Sequence, residues 1–266
     1  MRAEFLHDKK EIEAILRQNV FLHLYEIGDL DDFFWPYTSW YTLKQELSKP
    51  IILLYTGQPL PTLLALTNES DGAIQRLIQS IMHLLPPRIY AHLSKDLAAA
   101  FDGRYHIESH GLHSKMVLTN YSGLNSIDTS EVVPLTETDL TALKDLYHIS
   151  YPDNWFDPYM LKTGFYFGIR RNSDLVSVAG VHVYSKRYRV AALGNITTHP
   201  RFRGQGLARR ACAKLCQSLN QTAQHIGLNV KTDNTSAINC YENLGFTRSA
   251  FYQECLLELK EVNAAE

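Results

Sequence analysis

Residues 194–208, GNITTHPRFRGQGLA, are the part of the chain best suited to hold an anion. An apolar strand pattern runs into a turn containing Gly204 and Gly206 and then straight onto an amphipathic run. The first N–H groups of a helix lack intrahelical acceptors and the helix dipole is positive there, so a diphosphate accepting from the backbone satisfies both. Arg201, Arg203, Arg209 and Arg210 surround the turn, concentrating positive charge in a chain whose formal charge is -2. Behind it, Ala208, Ala211, Leu215, Leu219, Ala223 and Ile226 form one stripe of an expected helix over 207–226, which would seat the turn on a core. Gly194 stands inside the preceding strand, where glycine is costly unless a bulge or a close approach requires it; a bulge there would splay the sheet.

A second block follows at 234–246, NTSAINCYENLGF. Together the two resemble the GNAT N-acetyltransferase superfamily. Residues 201–206 are similar to its R-x-x-G-x-G loop, Thr198-His199-Pro200 to its V-x-P approach, and 234–246 to its N-x-x-A-x-x-x-Y-x-x-x-G-F block. The resemblance covers residues 131–259. It implies acetyl-CoA, or another acyl-CoA, as cosubstrate, with the pantetheine arm between two splayed strands and paired with the backbone of Asn195, Ile196, Thr197 and Thr198. The diphosphate would accept from Arg203, Gly204, Gln205, Gly206, Leu207 and Ala208. Asn234 and Ala237 would help orient the cofactor, and the Tyr241 phenol would protonate the departing thiolate. A placed acid of this kind contributes about 10²- to 10⁴-fold. The implied activity is direct attack of an amine, carried by a small-molecule or amino-acid-like acceptor, on the thioester.

The strand over 189–198 has no acidic residue to take the amine proton. His182 on a neighbouring strand, Glu254 on the last strand, and a chain of waters are the candidates. The aromatic segment 151–166, with Trp155, Phe156 and Tyr166, and with Tyr184 beyond it, forms either an acceptor pocket or core. Cys212 and Cys216, four apart, are expected to face the core of their helix. Cys240 has no neighbouring base to activate it. His106, His110 and His113 sit in a strand-and-loop setting with no fourth ligand, and no metal is expected.

The elements that must position these groups follow a mixed α/β order. Helices are expected over 8–24, 72–85 and 96–101, and strands over 50–56, 61–67, 88–93 and 106–119, with a hairpin turn at 57–59. The order nearly repeats after the polar stretch 121–130, the expected linker, with strands over 131–135, 164–170, 175–184, 189–198, 228–232 and 250–259 and helices from Thr136 or Thr138 and over 236–244. The expectation is two tandem GNAT-like domains, 1–125 and 131–266, with the cofactor site only in the second. At the matching junction of the first half, LTNESDGAIQR places Glu69 and Asp71 where an anion would be repelled. The 45% hydrophobic and 20% charged composition is globular. A pI near 6.6 gives no global field toward nucleic acid or an anionic membrane. No segment approaches the roughly 18 apolar residues of a membrane span, and four cysteines without a C-x-x-C pair suggest reduced thiols and a cytoplasmic location. A monomer or homodimer is expected. The other functional classes open at this point are a catalytically silent acyl-CoA-binding regulator and a protein or peptide acetyltransferase.

Overall fold

The computed structural model describes residues 2–44, 49–69, 72–152 and 154–261. In chain order the regular elements are β1 (Ala3–Leu6), α1 (Lys9–Leu16), α2 (Leu24–Gly28), β2 (Thr38–Leu43), β3 (Ile52–Tyr55), β4 (Thr62–Ala65), α3 (Ala73–Ile81), β5 (Arg88–Leu93) and β6 (Tyr105–Leu118). They continue as β7 (Val133–Pro134), α4 (Leu140–Ser150), β8 (Phe167–Arg171), β9 (Asp174–Ser185), β10 (Val190–Thr198), α5 (Leu207–Leu219), β11 (His225–Lys231), α6 (Thr235–Glu242) and β12 (Phe246–Leu259). The fold is mixed α/β. It forms two compact units, Met1–Lys115 with Ala250–Glu266, and Met116–Ser249.

These boundaries differ from the domain limits 1–125 and 131–266 read from composition. The polar stretch 121–130 belongs to the second unit, where Leu124 is buried and its carbonyl accepts from Gln217 Nε2 of α5 at 2.8 Å. Likewise the last strand divides, its residues from Ala250 onward joining the first unit.

In the first unit the strand order is β1-β2-β3-β4-β5-β12-β6. β3 and β4 form the expected antiparallel hairpin, β4 and β5 run parallel, and β12 pairs antiparallel with β5. The expected helix over 8–24 is instead α1, a turn of 3-10 helix and the short α2. Alternation along β5 and β12 sorts the side chains. Ile89, Ala91, Leu93, Cys255 and Leu257 pack with Leu77, Ile78 and Ile81 of α3 in a dry core. The intervening Tyr90, His92, Tyr252 and Glu254 form a polar set, joined by buried Glu26 of α2 and buried Lys115 of β6.

In the second unit the strand order is β11-β10-β9-β8-β7, with only β10 and β11 parallel. α4, α5 and α6 contribute Leu143, Leu146, Leu215, Cys216, Leu219 and Ile238 to one core with Val178, Leu193 and Leu228. Thr136 opens the way into α4 through a reciprocal capping pair with Asp139. α5 stops at Leu219, short of the expected 226, because Gln224 donates to the Arg189 carbonyl at 2.7 Å and leads into β11. Cys212 and Cys216 are buried as expected.

Gly245, in the second sequence block, has φ +98, and a Cβ built on it would stand 1.9 Å from the Asn120 carbonyl oxygen. Gly245→Ala should therefore cost about 2 kcal/mol or more in denaturant unfolding; a change within experimental error would show that the 120 turn yields freely. Burial lowers His92 from 6.5 to about 4, with Lys115 and His113 adding to the effect and Glu254 opposing it. The unfolded chain then binds a proton that folded His92 refuses. Stability is expected to be full above about pH 6.5 and to fall as pH drops from there toward 4, and His92→Gln should flatten that slope in pH-dependent unfolding.

Candidate active site

Strand β10 changes partners partway along. Its parallel register with β11 runs from Val190↔His225 to Leu193↔Leu228 and ends, although both chains continue as strand. Against β9 the register shifts between Ala192 and Leu193, passing over His182, and again between Gly194 and Thr197. Asn195 lies in the second irregularity with φ +56. Asparagine tolerates this left-handed backbone better than most residues. The expected bulge is present, and the ladder opens beyond it.

Gly194 has a further reason. A Cβ there would lie 2.4 Å from ring atoms of His182, so only glycine lets the imidazole lie over the strand. The ring's Nε2 is 3.0 Å from Asn195 Oδ1. On its other side Asn195 Nδ2 lies 2.7 Å from the Tyr166 hydroxyl, which itself donates to the Val181 carbonyl at 3.1 Å. The hydroxyl proton is thus committed, so the Asn195 amide must donate to Tyr166 and accept from His182. A neutral His182 ring then carries its proton on Nε2. Tyr147 donates to the Asn195 carbonyl at 3.0 Å. Burial pushes the phenols of Tyr147 and Tyr166 above the ordinary tyrosine value, which keeps both as neutral donors.

The other sequence-derived positions divide. Tyr166 is fully buried and belongs to the core, while half-buried Phe156 packs at its margin against Tyr166 and Tyr147. The Tyr184 hydroxyl is bonded to Thr222 and its ring lies against Phe165. Trp155 alone of the four stays exposed, at 37%, with its ring centroid 5.9 Å from that of His182. Thr197 and Thr198 are buried, bonded to Ser150 and Ser177, while Ile196 is half-buried. The carbonyls of Asn195 and Thr197 accept from Tyr147 and Ser177.

At the end of β10 the chain forms a short 3-10 turn and then two left-handed glycines, Gly204 at φ +76 and Gly206 at φ +72. Nothing lies within 4 Å of where either Cβ would stand. Gly206 is the N-cap of α5 and supplies no side-chain cap, leaving the N–H groups of Leu207, Ala208 and Arg209 without intrahelical partners. Arg203 Nε donates to the Thr198 carbonyl, fastening the loop to β10. Arg210 is paired with Glu131 at 2.7 Å, so the local charge is lower than the count of four arginines. Asn234 caps α6 by accepting from Ala237 N–H at 3.1 Å. Tyr241, on α6, is 7% exposed and its ring faces Phe246. Half-buried Cys240 has its thiol raised by burial, which disfavours a nucleophilic thiolate.

Glu254 belongs to the first unit. Burial opposes its ionisation, but His92, His113, Tyr252 and Tyr90 outweigh this and hold it below the ordinary carboxylate value. Among the described residues no group of histidine, cysteine and carboxylate side chains is arranged to hold a metal ion. Sequence reading missed the Asn195 side chain, Tyr147 and Asn229. The first had a signal, a Gly-Asn pair inside an apolar strand. Asn229, on the β11 side of the opening, keeps Oδ1 buried without a donor. A group bearing an amide N–H fits between these strands, and an anion fits the bare turn before α5; both features suit an acyl-CoA.

Residues 132–246 match the model of the acetyltransferase (GNAT) family, and the chain carries a GNAT domain there. Members of this family transfer an acyl group from acyl-CoA to an amine. Among solved structures, a Drosophila protein superposes with a TM-score of 0.70 at 12% identity, covering 96% of this chain and 98% of that one. A GNAT-family protein from Novosphingobium aromaticivorans gives 0.57 at 20% identity, covering 79% and 89%. A tandem GNAT protein of the clavulanic acid pathway gives 0.53 at 11% identity, covering 97% and 98%. At these identities the likeness is one of fold. No curated protein sequence matches at a significant level. Among the described residues no helix is long and apolar enough to cross a membrane.

The bond order around Asn195 has a spectroscopic consequence. Long-range ¹H–¹⁵N NMR at neutral pH should show His182 as the Nε2–H tautomer, and Asn195→Ala should abolish that preference. It should also cost about 1–3 kcal/mol of stability by leaving buried partners unsatisfied. An Nδ1–H ring in the wild type would show that Asn195 Oδ1 does not accept from His182 Nε2.

Proposed function

We propose that the second unit is an acetyl-CoA-dependent N-acetyltransferase for a small or amino-acid-like primary amine. The observation that carries this reading is the coincidence, in one unit, of the parted β10–β11 ladder with the uncapped N-terminus of α5. Bound acetyl-CoA would supply the acyl group as a thioester. The backbone N–H groups of Arg203 to Ala208 hold the diphosphate, where hydrogen bonds and the helix dipole favour the same charge. Asn195, Ile196, Thr197 and Thr198 present backbone groups toward the pantetheine arm, and Asn229 Oδ1 accepts from one of its amides. Asn234 and Ala237 set the start of α6 and so the position of Tyr241.

Of the two candidate bases, His182 is the one in the unit that carries Tyr241. Its Nδ1 takes the proton that the amine loses as its nitrogen bonds to the acyl carbon. Tyr241 delivers a proton to the sulfur as the carbon–sulfur bond breaks. Trp155 forms an exposed aromatic wall beside the imidazole, suited to the apolar part of a compact acceptor.

Purified full-length protein, acetyl-CoA and a panel of amines, read by thiol release, test the reading. Tyr241→Phe should lower turnover about a hundredfold or more while leaving coenzyme affinity unchanged by calorimetry. Absence of coenzyme uptake by the folded wild type would overturn the proposal. Uptake without turnover on any amine would make the chain a binding regulator.

A further inference from the structure

The carbonyls of the glycine turn before α5 converge on one residue. Arg210 donates its main-chain N–H to the Gly206 carbonyl at 3.1 Å, and its Nη2 donates to the Gln205 carbonyl at 3.4 Å. In a trans peptide the carbonyl and the following N–H point in opposite directions, and the described backbone holds no cis peptide. With both carbonyls drawn back onto Arg210, the N–H groups of Gly206 and Leu207 are turned the other way. Gln205 and Gly206 are exposed, so that direction leads out of the turn.

The guanidinium that holds Gln205 is itself held. Its Nε meets Glu131 Oε1 at 2.7 Å, and the other oxygen of that carboxylate meets Arg171 Nη2 of β8 at 2.8 Å. Glu131 Oε1 and Arg210 Nε are both closed to solvent and face each other as a charge contact without the alignment of a hydrogen bond. Exclusion of water strengthens such a contact. Buried Val132 fixes the chain beside Glu131. Asp128, whose carboxylate accepts from the Ser130 N–H at 2.9 Å, also lies in the field of Arg210. A guanidinium set among carboxylates has little charge left for an incoming anion. Its planar fork, which gives separate nitrogens to Glu131 and Gln205, suits holding the loop instead.

We propose that Arg210 and Glu131 are positioning residues of the anion site: Glu131 fixes the guanidinium, and the guanidinium holds the Gln205 carbonyl so that the Gly206 N–H is aimed at the diphosphate. This role rests on the acyl-CoA reading of the second unit. It differs from a plain charge effect in sign. If Glu131 acted through its charge alone, Glu131→Gln would remove a repelling carboxylate, release Arg210 and tighten the hold on an anion. A brace that loses its anchor loosens that hold.

Full-length wild type and variants would be titrated calorimetrically with coenzyme A, with denaturant unfolding to show that each variant is folded. Glu131→Gln is expected to weaken binding about three- to tenfold, the contribution of about one hydrogen bond. Arg210→Lys keeps the charge but offers one ammonium in place of the fork. It should weaken binding by a similar factor, and it carries the test should Glu131→Gln not fold. Glu137→Gln, which removes an exposed carboxylate of the same unit paired with Lys162, should leave affinity unchanged. In ¹H–¹⁵N spectra the Gly206 amide proton should move downfield on adding coenzyme A, and move less in Glu131→Gln. Wild-type or tighter affinity in folded Glu131→Gln, or wild-type affinity in Arg210→Lys, overturns the brace and leaves the acyl-CoA reading standing. Absence of coenzyme uptake by the wild type overturns that reading and the brace with it.

Discussion

The chemistry available to the second unit depends on one backbone conformation, the left-handed turn at Asn195. A residue there costs about 1–2 kcal/mol relative to ordinary strand geometry, so something must hold it. Three partners do. Tyr147 fixes the carbonyl, Tyr166 takes the amide hydrogen, and His182 fills the remaining acceptor. The turn inserts one extra residue on β10, and beyond Leu193 the register with β11 ends. The same turn aims Oδ1 at the imidazole, so the widening of the sheet and the tautomer of the candidate base have one cause.

At the proposed anion site two of the four arginines are already engaged. Arg210 is neutralised by Glu131, which also pairs with Arg171, and Arg203 is laid along the end of β10. What remains is a helix start that two left-handed glycines leave uncapped. Directional N–H groups recognise the shape of a diphosphate, whereas mobile surface arginines contribute mainly an attraction that salt screens.

Local rules made much of this legible. Gly204, Gly206, Asn234 and Gly245 are each required by a conformation, a cap or a close approach, and such demands appear as residue types at fixed spacing. The hairpin of β3 and β4 and the alternation of β5 are similarly local. The ends of α5 and the split of β12 were not legible, because long-range partners decide them: Arg189 in one case, the neighbouring β5 in the other. Periodicity continued through Ala223 and Ile226, both buried, yet the second lies on β11, where strand pairing overrides helical spacing. Tyr166 and Phe156 show the same limit. Aromatic content marked the segment, but only packing could assign Tyr166 to the core, Phe156 to its margin and Trp155 to the surface.

The two units share one device and use it differently. α3 begins at Gly72 with φ +74 and no side-chain cap, almost the backbone of Gly206 before α5. Glu69 precedes that junction, and Asp71, the other carboxylate expected to repel an anion, lies outside the described residues. Similar geometry with opposite charge argues that the first unit was not kept for a diphosphate. Its polar layer is a structural choice with a cost. Burying ionised Glu26 and Glu254 with Lys115 adds little net stability over an apolar face of equal volume, since desolvation offsets the attraction. A sheet that needed only to fold would have repeated on this face the aliphatic packing that it already has against α3. It carries carboxylates, imidazoles and phenols instead, and the bonds of Tyr90 and Tyr252 to Glu254 tie β5 to β12 through directional contacts that aliphatic packing does not supply.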